Sequence, residues 1–261
     1  MQVTFPTTID LLVLAIAYCY VFIIIGIGEA LRRVRGYSPS LTRKLIHLGA
    51  GFSIFTVPFY THAWTAIIVA VSFVILVFLA SPKSPVRSLR AMFEVMAREG
   101  DYLSGHIWGP FLYAISITVL VTIFTLIPSL TQFFIIPAMA LTAMYLGDGL
   151  APIIGAKCGK HRYTIGNSTR SIEGSLVVFL ASVLGALFCF LFFDWFASGG
   201  IPTYNFFQMS VLALVCGTAA TLIEGASPSG ADNLTVPLLT TLIIFCVAAF
   251  IHSPLLPNIL P

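Results

Sequence analysis

Asp148 stands between Gly147 and Gly149 near the end of a long apolar run, and Lys157, Lys160, Arg162 and Arg170 follow it. A carboxylate in such a segment is costly unless a cation or hydrogen-bond donors answer it. The basic residues offer charge to a polyphosphate, and amides at glycines and helix N-termini favour the same anion. An Asp for Mg²⁺ beside cations for phosphate is the set that phosphoryl transfer uses, because that chemistry is mostly positioning and charge stabilisation. The small residues Ala151, Gly155, Ala156 and Gly159 let backbone approach either a ligand or a neighbouring helix, and spacing alone leaves both readings open. Neither a Walker loop nor a Gly-x-Gly-x-x-Gly fingerprint is present.

A second stretch, 224–237, carries Glu224, Asp232 and Asn233, hard oxygen ligands of the kind Mg²⁺ prefers, within Ser-Pro-Ser-Gly and Asp-Asn turn chemistry. It holds no Lys or Arg. A metal to be complemented explains that; a turn alone does not. A third stretch places Lys44 and His47 three apart on one helical face, where His47 serves proton transfer or phosphate binding, or is an ordinary interfacial histidine. Glu29 reads as the partner of Arg32 or Arg33, and Glu99, Asp101 and His106 form a weaker cluster. The five cysteines show no CxxC pair and read as small apolar fillers.

These residues need a scaffold, and the composition names it. Of 261 residues 58% are hydrophobic and 9% charged, with a mean hydropathy of +1.00; soluble domains carry roughly 25% charge. A soluble enzyme, a disordered chain and a nucleic-acid binder are excluded, which leaves a polytopic all-α membrane bundle. Eight apolar runs are candidate spans: 11–28, 45–59, 63–80, 107–127, 133–154 (interrupted at Gly147-Asp148-Gly149), 176–193, 206–223 and 236–251. All thirteen Lys and Arg fall in the connections 32–44, 83–98 and 157–170, the first, third and fifth, so they share one face. The positive-inside rule makes that face cytoplasmic and puts both termini on the other side.

Eight of the ten acids lie at or just within the basic face; Asp10 and Asp194 do not. A transporter gathers its polar residues near the midplane. One-sided polarity suits an interfacial enzyme that takes a soluble reagent from the cytosol and a lipid from the bilayer. The whole chain, 1–261, reads as one transmembrane domain, with 88–98 an amphipathic helix at the cytoplasmic interface: Leu89, Met92, Phe93 and Met96 lie opposite Arg87, Arg90, Glu94 and Arg98. The absence of a transit segment points to a prokaryotic plasma membrane.

The set Arg43-Lys44-x-x-His47, Gly147-Asp148-Gly149-x-Ala151-x3-Gly155-x3-Gly159, Ser171-x-Glu173-Gly174-Ser175 and Glu224-x7-Asp232-Asn233 resembles the phytol kinase and dolichol kinase (polyprenol kinase) family. Its members are membrane enzymes that phosphorylate isoprenoid alcohols, typically from CTP, and the family is distantly similar to CDP-diacylglycerol synthases. The resemblance covers roughly residues 40–240. It implies that Asp148, Ala151, Gly155, Gly159, Glu173 and Gly174 form the nucleotide site and that Asp232 and Asn233 complete it. Arg170 stands where the family's Lys-x-x-Glu-Gly segment has lysine, a planar fork in place of a point charge.

On this reading Asp148, Asp232 and Glu224 hold Mg²⁺, and Lys157, Lys160 and Arg170 take the triphosphate, with Lys44 and Ser171 beside it. Glu173, Asp232 or His47 accepts the hydroxyl proton of phytol, geranylgeraniol or a dolichol-type alcohol. Its partners are then CTP and a membrane lipid alcohol, with no nucleic acid, and a homodimer is left open. Two other readings stand beside it: a cytidylyltransferase making a CDP-lipid from CTP and a lipid phosphate, and a lipid transporter without chemistry.

Overall fold

The structure, a computed structural model of the chain, describes residues 5–97, 99–105, 107–165, 168–196, 204–228 and 230–251. In order it has helices α1 (Thr8–Arg35), α2 (Pro39–Gly51), α3 (Ala63–Leu79), α4 (Arg87–Met96), α5 (Glu99–Ser104), α6 (Trp108–Leu126), α7 (Pro128–Thr131) and α8 (Ile135–Cys158). Strands β1 (Arg162–Ile165) and β2 (Ser168–Ser171) follow, and then α9 (Ile172–Phe196), α10 (Phe206–Ala226) and α11 (Asp232–Ile251). Among the described residues α1, α6, α8, α9, α10 and α11 are long and apolar enough to cross a membrane, and α3 is apolar but shorter. This is the expected helical membrane architecture, with a small β-hairpin that the apolar pattern did not announce. By internal packing the chain divides into two compact units, Met1–Thr131 and Gln132–Pro261.

In the first unit, local chemistry sets the helix ends. Thr7 caps α1 in a capping box with Asp10, and Gly36 closes it at φ 64°, a left-handed conformation that glycine adopts without a Cβ penalty. Ser38 and Pro39 start α2. The expected span 45–59 is not one long helix. It runs through the end of α2 and continues as a 3₁₀ segment, Phe52–Phe59. Gly49 and Gly51 weaken the end of the α-helix, and Pro58 has no N–H to carry a helical ladder onward.

The apolar face of the expected interfacial helix forms as α4, but protein covers it. Met92, Phe93, Val95 and Met96 are buried with Ile46 of α2, Val77 and Ala80 at the end of α3, and Ile107. Thr42 donates to the Val95 carbonyl (3.3 Å), and Arg32 reaches both Glu29 (3.4 Å) and Glu94 (3.2 Å). Arg33 also pairs with Glu29, so both expected partners of that acid are engaged. Arg98, the last residue of the expected interfacial helix, and His106 lie outside the described residues.

At the start of α1, Asp10 is fully buried. Its carboxylate accepts from the Thr61 amide (2.8 Å) and hydroxyl (2.6 Å), and from the His62 amide (3.2 Å). It also pairs with the His62 Nδ1 (2.6 Å) and accepts from the Thr7 amide (2.9 Å). One carboxylate thus joins α1 to the entry of α3.

In the second unit α8 is the centre. Every residue from Ile135 to Tyr145 is buried, as expected for a helix apolar on all sides, and α9, α10 and α11 all pack against it. The expected interruption at Gly147-Asp148-Gly149 does not occur: α8 runs through it. The reason is packing. A Cβ on Gly147 would stand 3.0 Å from Val178 Cγ1 of α9, so the glycine brings helices together rather than ending one.

Candidate functional site

The hairpin between α8 and α9 supplies the centre of the site. Its strands pair antiparallel, with Tyr163 opposite Arg170 and Arg162 opposite Ser171. Cross-strand partners share a face. From that face the Tyr163 hydroxyl meets Ser175 Oγ of α9 at 2.6 Å, which pins the hairpin to the helix. Arg170, beside it, reaches the junction of α10 and α11.

There its guanidinium makes a close ion pair with Glu224, in the last turn of α10, and stands 3.6 Å from Asp232, in the first turn of α11. It also donates to the Ser227 carbonyl at 3.0 Å. The three charged side chains are only 14%, 13% and 11% exposed. At such burial the charges are held by one another and not by water, and removing one partner is costly. The α10–α11 turn is stitched as well. Ser227 Oγ donates to the Ile223 carbonyl (2.7 Å) and meets Thr235 Oγ1 (2.6 Å), Gly230 takes φ 94°, and the other oxygen of Asp232 accepts from the amides of Gly230 (3.2 Å) and Asn233 (3.0 Å). Asn233 follows it, buried, at the head of α11.

Three of the expected site residues therefore meet: Arg170, Glu224 and Asp232. Arg170 differs from expectation in its partners, since it lies on carboxylates expected to hold metal. The arrangement still tests whether the acids suit a divalent cation. Two carboxylates from two helices converge on one positive group, so the guanidinium acts as a stand-in ion. Mg²⁺ in phosphate chemistry uses one or two carboxylates and takes its remaining ligands from substrate and water. Glu224 and Asp232 fit that requirement. Among the described residues no three His, Cys, Asp or Glu side chains are gathered as a metal cluster.

The small residues expected to approach a nucleotide lie close to one another. Ala151 and Gly155 on α8 and Gly159, just past its end, are four apart and face the start of α9. A Cβ on Gly155 would stand 3.3 Å from Ser171 Oγ, and one on Gly174 would stand 3.7 Å from the Ala151 carbonyl oxygen. Ser171 itself caps α9, accepting from the Gly174 amide at 3.1 Å. These positions form the α8–α9 seam, the packing alternative that their spacing left open. A Cβ at Gly159 would collide with the Gly155 carbonyl oxygen and lie 2.8 Å from Ser171 Oγ. Gly159→Ala is accordingly expected to destabilise the protein by about 1–3 kcal/mol, read as a lower melting temperature in detergent, and Gly155→Ala by less. Equal melting of Gly159→Ala and the parent would remove the seam from this account.

Glu173, in the first turn of α9, accepts from His161 through the backbone amide (3.3 Å) and faces its Nδ1 at 2.8 Å. A carboxylate that fixes one ring nitrogen leaves the other as the exchangeable one. His161 was not singled out in the sequence; its signal was only its place among Lys157, Lys160 and Arg162, all of which, like His161, are exposed. Asp148 is half-buried on α8, four residues before Pro152, which removes the N–H that usually bonds back to the Asp148 carbonyl. Pro237 stands in the same relation to Asn233 on α11. Lys44 and His47 belong to the first unit. Lys44 is buried on α2, and the His47 ring packs on Tyr113 with centroids 4.3 Å apart.

A phytol kinase of Synechocystis sp. is 31% identical over 234 residues, 87% of this chain and 88% of that protein. A probable chloroplastic phytol kinase of Triticum aestivum is 28% identical over 222 residues, 83% of this chain and 70% of that protein. No family model and no solved structure matches.

Proposed function

The chain belongs to the phytol kinase family, and from that premise we propose that it is an integral membrane kinase that transfers the γ-phosphate of CTP to the hydroxyl of an isoprenoid alcohol. The likeness to a named phytol kinase over nearly its whole length carries this reading. The geometry that supports it is the convergence of Glu224 and Asp232 on one cation beside a run of exposed basic residues. The reaction takes place at the cytoplasmic face of the membrane, the side on which the positive-inside rule expects the basic connections.

Lys157, Lys160 and Arg162 meet the triphosphate at the surface, where long cationic side chains draw a polyanion in from solution. Arg170 provides the planar fork for a phosphate oxygen pair. Glu224 and Asp232 would hold Mg²⁺, which would neutralise charge on the phosphates. Glu173 holds His161 so that Nε2 accepts the alcohol proton. As that proton leaves, the alcohol oxygen bonds to the γ-phosphorus and the bond to the β-phosphate oxygen breaks. CDP leaves to water and the lipid monophosphate stays in the bilayer. Glu173 is better placed for this role than for that of base, because a carboxylate already accepting two donors holds its charge firmly.

Purified protein in detergent, offered each nucleoside triphosphate and a panel of lipid alcohols, tests the proposal by product mass. CDP with lipid monophosphate is the expected result. Pyrophosphate with a CDP-lipid would instead identify a cytidylyltransferase, and nucleotide-independent lipid flux in liposomes without products would identify a transporter.

A further inference from the structure

We propose that Arg170 is an exchangeable counter-ion: it neutralises Glu224 and Asp232 in the nucleotide-free protein and passes to the triphosphate when nucleotide binds, so that the divalent metal enters only with the nucleotide. The inference rests on the kinase reading above and concerns the order in which its site fills.

The hairpin fixes the root of Arg170, since Tyr163 opposite it is bonded to Ser175. Its guanidinium, at the end of a flexible stem, bridges two different helices and caps the Ser227 carbonyl. A free Mg²⁺ approaching this pair meets acids whose charge is already answered. It must also give up water, which it does reluctantly. A metal alone therefore competes poorly. A nucleotide changes the balance, because its phosphate oxygens accept the same fork in a bidentate pairing. Once the guanidinium moves to them, both carboxylates are open to a cation and no charge is left uncompensated. The guanidinium also has an unused donor: Arg170 Nε is buried and has no hydrogen-bond partner among the described residues. A buried N–H without an acceptor is unfavourable, and a phosphate is an acceptor that satisfies it. Arginine suits this role better than lysine, because its planar fork matches the oxygen pair of a carboxylate and that of a phosphate alike.

Metal and nucleotide must then reinforce each other's binding, and by linkage the coupling is reciprocal. The test is Mn²⁺ binding followed by electron paramagnetic resonance on the purified full-length protein. It is run with and without the β,γ-methylene analogue of CTP, after subtracting Mn²⁺ held by free analogue. For the parent protein the analogue is expected to tighten Mn²⁺ by at least about tenfold. Arg170→Gln is expected to bind Mn²⁺ at least about tenfold more tightly than the parent when nucleotide is absent, with most of the coupling gone. Arg170→Lys, which keeps the charge but not the fork, falls between them.

Equal nucleotide-free Mn²⁺ affinity in parent and Arg170→Gln, with the analogue still bound, overturns the exchange. If Arg170→Gln does not fold, the parent decides alone: analogue that binds without tightening Mn²⁺ overturns it equally. Failure of the parent to bind the analogue at all overturns the nucleotide-dependent kinase reading, and this inference with it.

Discussion

Asp232→Asn is expected to leave the protein folded and expressed while lowering turnover on the order of 10³-fold, the scale on which a preorganised electrostatic group contributes. The substitution separates two jobs of one side chain. One oxygen accepts from the amides of Gly230 and Asn233 and so caps the first turn of α11. The amide oxygen of asparagine keeps those bonds. The other oxygen faces Arg170 at 3.6 Å, and its negative charge is what the substitution removes. Glu224 is then left to balance the guanidinium and to hold the metal alone. Transfer of labelled γ-phosphate to a lipid alcohol, measured beside melting in detergent, reads both jobs at once. Parent-like rates would take Asp232 out of the reacting centre. A large fall in melting temperature would show that the cap, and not the charge, is its main contribution.

The second large effect lies in the first unit and on stability. Asp10→Ala is expected to cost about 2–4 kcal/mol, from the lost cap and the lost hydrogen bonds to a charged acceptor. The carboxylate is fully buried and receives donors from Thr7, Thr61 and His62. Alanine takes away the acceptor that these donors share, and with it the tie between α1 and the entry of α3. The start of α1 also loses the reciprocal half of its capping box. Denaturation in detergent measures this directly, and the fraction that remains folded is expected to turn over at the parent rate. A melting temperature within a degree of the parent would show that neighbouring groups take over the acceptor's place.

The sequence made the helical membrane class legible because composition is a global property. Apolar runs of spanning length in a chain that is 9% charged leave few alternatives. It also made Glu224, Asp232 and Arg170 stand out, because ionic groups at the ends of apolar runs are expensive. What it did not carry was the pairing. That Arg170 meets both acids depends on a four-residue strand register and on the turn between α10 and α11, contacts across more than fifty residues. The hairpin itself was hidden in a short polar stretch that read as a charged loop. The glycines of α8 were ambiguous for a related reason: close approach to a ligand and close approach to a helix ask for the same small residue. Asp10 does not stand out in the sequence, because a lone acid at the start of an apolar helix looks like an ordinary cap, and nothing local marks its link to Thr61 and His62.

The burial of α4 has a consequence for handling the protein. A surface helix held by lipid would loosen whenever the bilayer is exchanged for micelles. Here Phe93 and its neighbours are gripped by α2, α3 and Ile107, so solubilisation should leave this segment docked and resistant to trypsin despite its arginines.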